Sequence, residues 1–113
     1  MRQRQPRVTD PDHLAFVRGL PCLVCPNDIE TEAAHIRFAD ARAHKRQVGK
    51  GEKPSDEWAV PLCSKHHREQ HRMNEARFWA EAGIDPVFVA LALTRVSGDA
   101  QAGCEIVAAN RGS

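Results

Sequence analysis

Apolar positions along this chain fall into short, punctuated runs rather than one long periodic stretch. Asp10 followed by Pro11 is a helix start, with the acid as N-cap and the proline at the first helical position; Leu14, Phe16 and Val17 follow before Gly19 ends a helix over residues 11–18. Residues 20–26 carry prolines at both ends and read as a turn. Residues 33–38 alternate as a short strand with His35 and Arg37 on one side and Ile36 on the other, and residues 58–62 read as a second. Residues 39–47 hold enough Ala, Arg and Lys for a helical turn or two, and residues 48–54, with two glycines and a proline, read as a loop. Ser64 is the expected N-cap of a helix through His66, His67 and His71 and on to Ala82, which Gly83 stops. Asp85-Pro86 opens another helix over 87–94, and residues 100–109 form a last one.

The pattern predicts an α+β domain, and 113 residues suffice for one, so residues 1–113 are read as a single unit. Composition changes the picture in one respect. With 42% apolar and 5% aromatic residues the core is thin, and small domains of this kind draw folding energy from a metal. No apolar run is long enough to span a bilayer and no apolar segment follows the basic residues 1–7, so the expected location is the cytoplasm.

Cys22-Leu-Val-Cys25 and Cys63-Ser-Lys-His66 supply that metal site. Each pair has the two-residue spacing that lets both side chains of a turn meet one tetrahedral ion, and together they predict a structural zinc. His67 and Cys104 remain alternatives to His66 as fourth ligand; Cys104, without a spaced partner, is read as core packing. At about 100° per residue His66 and His67 point in different directions, whereas His67 and His71 share a helix face and are free to serve a second site. A metalloprotease motif is excluded because Arg68 stands where the glutamate would be needed, and Gly49-Lys-Gly-Glu-Lys53 lacks a nucleotide-binding loop's ending, so no nucleotide cofactor is expected.

The net charge of +1 conceals a basic segment: Arg37, Arg42, Lys45, Arg46, Lys50 and Lys53 face only Asp40 and Glu52 between residues 37 and 53. Such a segment suits phosphate contact and marks those six side chains as DNA-contact candidates.

Taken in order, Cys22-x-x-Cys25, Ala34-His35-Ile36 and Cys63-x-x-His66-His67 at the head of a helix resemble the HNH branch of the ββα-metal (His-Me finger) endonucleases. Gly49-x-Gly51-x-Lys53-Pro54-x-Asp56 ahead of Pro61-Leu62-Cys63 further resembles small phage and prophage nuclease-like proteins related to the phage recombination-enhancement nuclease. The resemblance covers residues 20–86, leaving 87–113 as a helical extension. It implies a small ββα-metal core with a zinc knuckle and flanking helices, and a hydrolase cutting DNA phosphodiester bonds. It also implies His35 as general base, His67 and His71 as ligands of a catalytic Mg or Mn, and Asp56 at the family's middle Asn or Asp position. Partners would be DNA and a recombination or replication protein. Ala34 departs from the pattern, since the family often carries a ligand there; this favours the alternative of a zinc-stabilised DNA-binding protein without catalysis. Pairing of the basic segment with acids would favour a protein-interaction module instead.

Overall fold

The computed structural model describes residues 9–26, 30–47 and 54–111. Within them five α-helices surround a two-stranded antiparallel sheet, an α+β architecture. Helix α1 (Pro11–Arg18) has the predicted bounds, because the Asp10 carboxylate accepts the His13 N–H at 3.1 Å and satisfies a donor the first turn leaves open. Strand β1 (Thr31–His35) pairs with β2 (Ala59–Cys63) in a register that sets Thr31 opposite Cys63 and His35 opposite Ala59.

Both strands differ from the sequence expectation. β1 begins two residues and ends three residues earlier than predicted, and its end has a visible reason: the Ile36 N–H still reaches the Trp58 carbonyl at 2.8 Å, but those of Arg37 and Phe38 turn to the Glu75 carboxylate at 2.9 and 3.2 Å. A side chain from a distant helix thus ends the ladder. β2 begins at Ala59, because residues Asp56–Trp58 form a 3₁₀ turn. Of the helical turn expected over 39–47 only the 3₁₀ turn Ala41–Ala43 forms, capped by Asp40. The loop expected at 48–54 lies almost wholly outside the described residues.

The helix expected from Ser64 to Ala82 is two. Helix α2 (Ser64–Arg72) stops at Met73, and α3 (Glu75–Ala82) restarts with Asn74 as N-cap, its side chain accepting the Arg77 N–H at 3.0 Å. Gly83 ends α3 in the left-handed region at φ 72°, as a glycine there should. Helices α4 (Pro86–Arg95) and α5 (Ala100–Asn110) match expectation within a residue, each opened by an aspartate that accepts the N–H three residues on.

The core lies between the sheet and the C-terminal helices: Ile36, Val60 and Leu62 of the strand region meet Trp79 of α3 and Val89 and Leu93 of α4. At about 25 cal/mol per Å², each such side chain contributes on the order of 1.5–3 kcal/mol on burial. Helix α5 comes close to α1 at Gly103, where a Cβ would lie 2.8 Å from the tip of Phe16 and 2.9 Å from Leu20. Its C-terminal neighbour Arg111 donates to the Cys22 carbonyl at 2.9 Å, tying the extension to the cysteine turn. No helix of the described residues is long and apolar enough to cross a membrane.

Candidate metal centres and the histidine sites

The Cys22–Cys25 turn is anchored on the sheet by the Leu23 N–H, which donates to the Pro61 carbonyl at 2.9 Å. That contact brings the turn over the end of β2, where Cys63 and the first turn of α2 supply the other pair. One ligand atom from each of Cys22, Cys25, Cys63 and His66 lies within 4.8 Å of all the others. Cys25 Sγ is 3.9 Å from Cys63 Sγ, and His66 Nδ1 is 3.1 Å from Cys63 Sγ and 3.9 Å from Cys22 Sγ. A tetrahedral zinc with bonds of about 2.3 Å to sulfur and 2.0–2.1 Å to nitrogen needs sulfur–sulfur edges of roughly 3.8 Å and sulfur–nitrogen edges of roughly 3.5 Å. The cluster fits that ion. All four cysteines of the chain are free thiols, as ligation requires.

Burial pushes the Cys22 thiol up, but N–H groups of Cys63, Cys25 and Val24 aimed at its sulfur outweigh this, so its pKa lies below the usual thiol value. Backbone donors that favour thiolate also favour a metal ligand. Of the alternatives for the fourth position, His67 points elsewhere and Cys104 is exposed on α5. The expectation that Cys104 packs in the core is therefore corrected: Gly103 and Val107, four residues apart, form the buried stripe of α5, and Cys104 is turned one step of about 100° away from it.

The step from His66 to His67 separates their partners. His67 Nδ1 is 2.7 Å from Glu32 Oε1, and His71 Nε2 is 3.1 Å from His67 Nε2, their rings tilted with centroids 4.7 Å apart. Ser64, expected as a capping side chain, donates its hydroxyl to Glu32 Oε2 at 3.1 Å instead. The hydrogen bond from His67 is the largest influence on Glu32 and holds its carboxyl below the ordinary carboxylate range. Glu32 escaped the sequence reading. Its signal is alternation: it stands two residues before Ala34, on the same face of β1.

His35 belongs to a second group. Its Nε2 lies 3.0 Å from Asp56 Oδ1, and Asp56, only 1% exposed, also accepts the Asp10 N–H at 2.7 Å. The 3₁₀ turn before β2 thus delivers Asp56 to His35 from 21 residues away. With a carboxylate on Nε2 that nitrogen must carry the proton, which leaves Nδ1 as the acceptor of the ring. His35 and Glu32, three positions apart on β1, project from opposite faces. The groups are nonetheless held on common elements, since Gln70, between His67 and His71 on α2, donates to the His35 carbonyl at 3.5 Å and to Glu75 at 3.0 Å.

The basic segment is partly spent inside the fold. Lys45 is 4% exposed, donates to the Phe38 carbonyl and stacks over the Trp58 ring at 5.6 Å. Desolvation lowers its pKa. It is not available to a phosphate, which corrects its reading as a DNA contact. Arg42 is exposed but paired with Asp40 at 2.7 Å and Asp85 at 3.0 Å. Arg37 is half-buried and Arg46 exposed, while Lys50 and Lys53 lie outside the described residues.

One family model matches, covering residues 1–97, and its description is "Protein of unknown function (DUF968)". No curated protein and no solved structure matches the chain.

Proposed function

The chain belongs to the DUF968 family, and we propose that it is a metal-dependent DNA endonuclease of the HNH type with a structural zinc. The observation that carries this reading is the pairing of His35 with buried Asp56 at 3.0 Å. A histidine held on one nitrogen by a carboxylate is oriented and fixed in tautomer, the arrangement a general base needs. A neutral imidazole suits that task near physiological pH.

In the proposed reaction His35 Nδ1 takes a proton from water, the water oxygen forms a bond to phosphorus, and the bond to the 3′ oxygen breaks. Asp56 stabilises the imidazolium that results while its own proton count stays unchanged. His67 and His71, with Nε2 atoms 3.1 Å apart, are spaced to face one divalent ion. Such an ion, when bound, offsets negative charge building on the phosphoryl and leaving oxygens. The antiparallel β1–β2 pair followed directly by α2 supports a ββα core, with the Cys₃His cluster closing its end. Because His35 and Glu32 project from opposite faces of β1, the phosphodiester must reach His35 and the imidazole pair around the β1 edge, where Gln70 and Glu75 fasten the strand to α2 and α3.

A zinc-stabilised DNA-binding protein without catalysis is the second reading, favoured by fully buried Ala34, which offers no ligand atom. His35→Ala separates the two. A nuclease loses about 10²- to 10⁴-fold in cleavage rate while DNA affinity and zinc content hold; a pure binding protein shows no cleavage in either form.

A further inference from the structure

The proposed reading gives His67 and His71 to a metal but leaves open what prepares them, and which ion they prefer. A histidine ligand usually donates its second ring N–H to a carboxylate, which fixes the ring and raises the basicity of the ligating nitrogen. His67 shows that arrangement before any ion is considered: Nδ1 is 2.7 Å from Glu32 Oε1, and Nε2 faces His71 Nε2 at 3.1 Å. Glu32 is not placed to ligate, because its other oxygen accepts the Ser64 hydroxyl at 3.1 Å. The two Nε2 atoms match the cis edge of an octahedral dication, roughly 3.0 Å for bonds of about 2.1 Å.

We infer that Glu32 is the positioning residue of this pair: it holds the His67 proton on Nδ1, so that Nε2 of His67 and Nε2 of His71 present an all-nitrogen edge that takes a transition-metal dication such as Mn²⁺ in preference to Mg²⁺. The inference rests on the metal role of His67 and His71 proposed above. In the ion-free protein the 3.1 Å contact needs one N–H donor, which the Nε2–H tautomer of His71 supplies to His67 Nε2; ligation through both Nε2 atoms moves that proton to His71 Nδ1, so both rings stay neutral. Imidazole suits Fe²⁺, Ni²⁺ and Zn²⁺ best, and Mn²⁺ stands lowest in that series, but a nitrogen edge still disfavours Mg²⁺ more, because Mg²⁺ demands oxygen ligands and keeps its waters. Because Ala34 contributes no carboxylate, nothing at that point of β1 restores a Mg²⁺ site.

The test is Mn²⁺ titration of zinc-replete protein, read by electron paramagnetic resonance, with ¹⁵N NMR of the His67 ring in ion-free protein. Glu32 has a side chain 48% exposed, so its variants should fold. Glu32→Ala should weaken Mn²⁺ binding by about 10- to 100-fold and release His67 from the Nδ1–H tautomer. Glu32→Gln, which still accepts from Nδ1, should recover most of the affinity. Mg²⁺ in about hundredfold excess should leave Mn²⁺ bound. If Glu32→Ala binds Mn²⁺ like the parent while His67→Ala does not, the positioning role is overturned and the histidine pair stands. If His67→Ala and His71→Ala both bind like the parent, the metal reading of the pair falls as well. Displacement of Mn²⁺ by that Mg²⁺ excess would overturn the stated preference.

Discussion

Asp56→Asn isolates the proposed base from its orienting acid with almost no change in shape. Asp56 is 1% exposed and accepts from two donors at least, the Asp10 N–H at 2.7 Å and His35 Nε2 at 3.0 Å. An asparagine has one acceptor oxygen. The backbone N–H cannot go without a partner at low cost, so that oxygen stays on Asp10 and the amide NH₂ turns to His35. His35 must then accept at Nε2 and carry its proton on Nδ1, the nitrogen assigned to take a proton from water. Cleavage should fall by about 10²- to 10⁴-fold, the range of a general base lost through its tautomer. Stability should change little: a charge-assisted hydrogen bond worth about 1.5–3 kcal/mol is exchanged for a neutral one worth about 0.5–1.5 kcal/mol, a net loss of roughly 1–2 kcal/mol. Plasmid cleavage at fixed zinc content gives the rate, thermal melting the stability, and ¹⁵N NMR of the His35 ring the tautomer. Asp56→Asn that cleaves at the parental rate with the His35 proton moved to Nδ1 would refute the assignment of Nδ1 as the base.

Other outcomes follow from the same geometry. Chelation of zinc should abolish the cooperative melt, since the thin core leans on the Cys₃His cluster; a chelated protein that melts unchanged would contradict this. His66→Ala should lose the zinc equivalent and the fold, whereas His67→Ala should keep both and lose Mn²⁺ affinity, as metal analysis and titration on the two variants will show. Lys45→Ala should lower the melting temperature by removing a buried cation packed on Trp58, with salt-dependent DNA binding unaltered. Arg46→Ala should do the reverse and reduce the slope of log affinity against log salt by about one.

Local chemistry made much of this legible in advance. The Asp10-Pro11 and Asp85-Pro86 starts fixed α1 and α4, and paired two-residue spacings gathered Cys22, Cys25, Cys63 and His66. What stayed hidden depends on partners remote in sequence. The end of β1 is set by Glu75, some 40 residues on, and Lys45 is buried only because Trp58 and the Phe38 carbonyl receive it. The break at Asn74 follows from a cap inside an otherwise helical pattern, a competition that propensity alone does not decide. Glu32 lies just before the strand expected over 33–38, and its meaning comes from His67, 35 residues away.

The proposed hydrolysis of DNA is tested most directly by incubating zinc-replete protein with supercoiled plasmid in Mn²⁺, alongside His35→Ala of equal zinc content. Nicked or linear product is expected from the parent, and a rate lower by about 10²- to 10⁴-fold from the variant. Intact plasmid with the parent in both Mn²⁺ and Mg²⁺, or equal cleavage by both proteins, would contradict it.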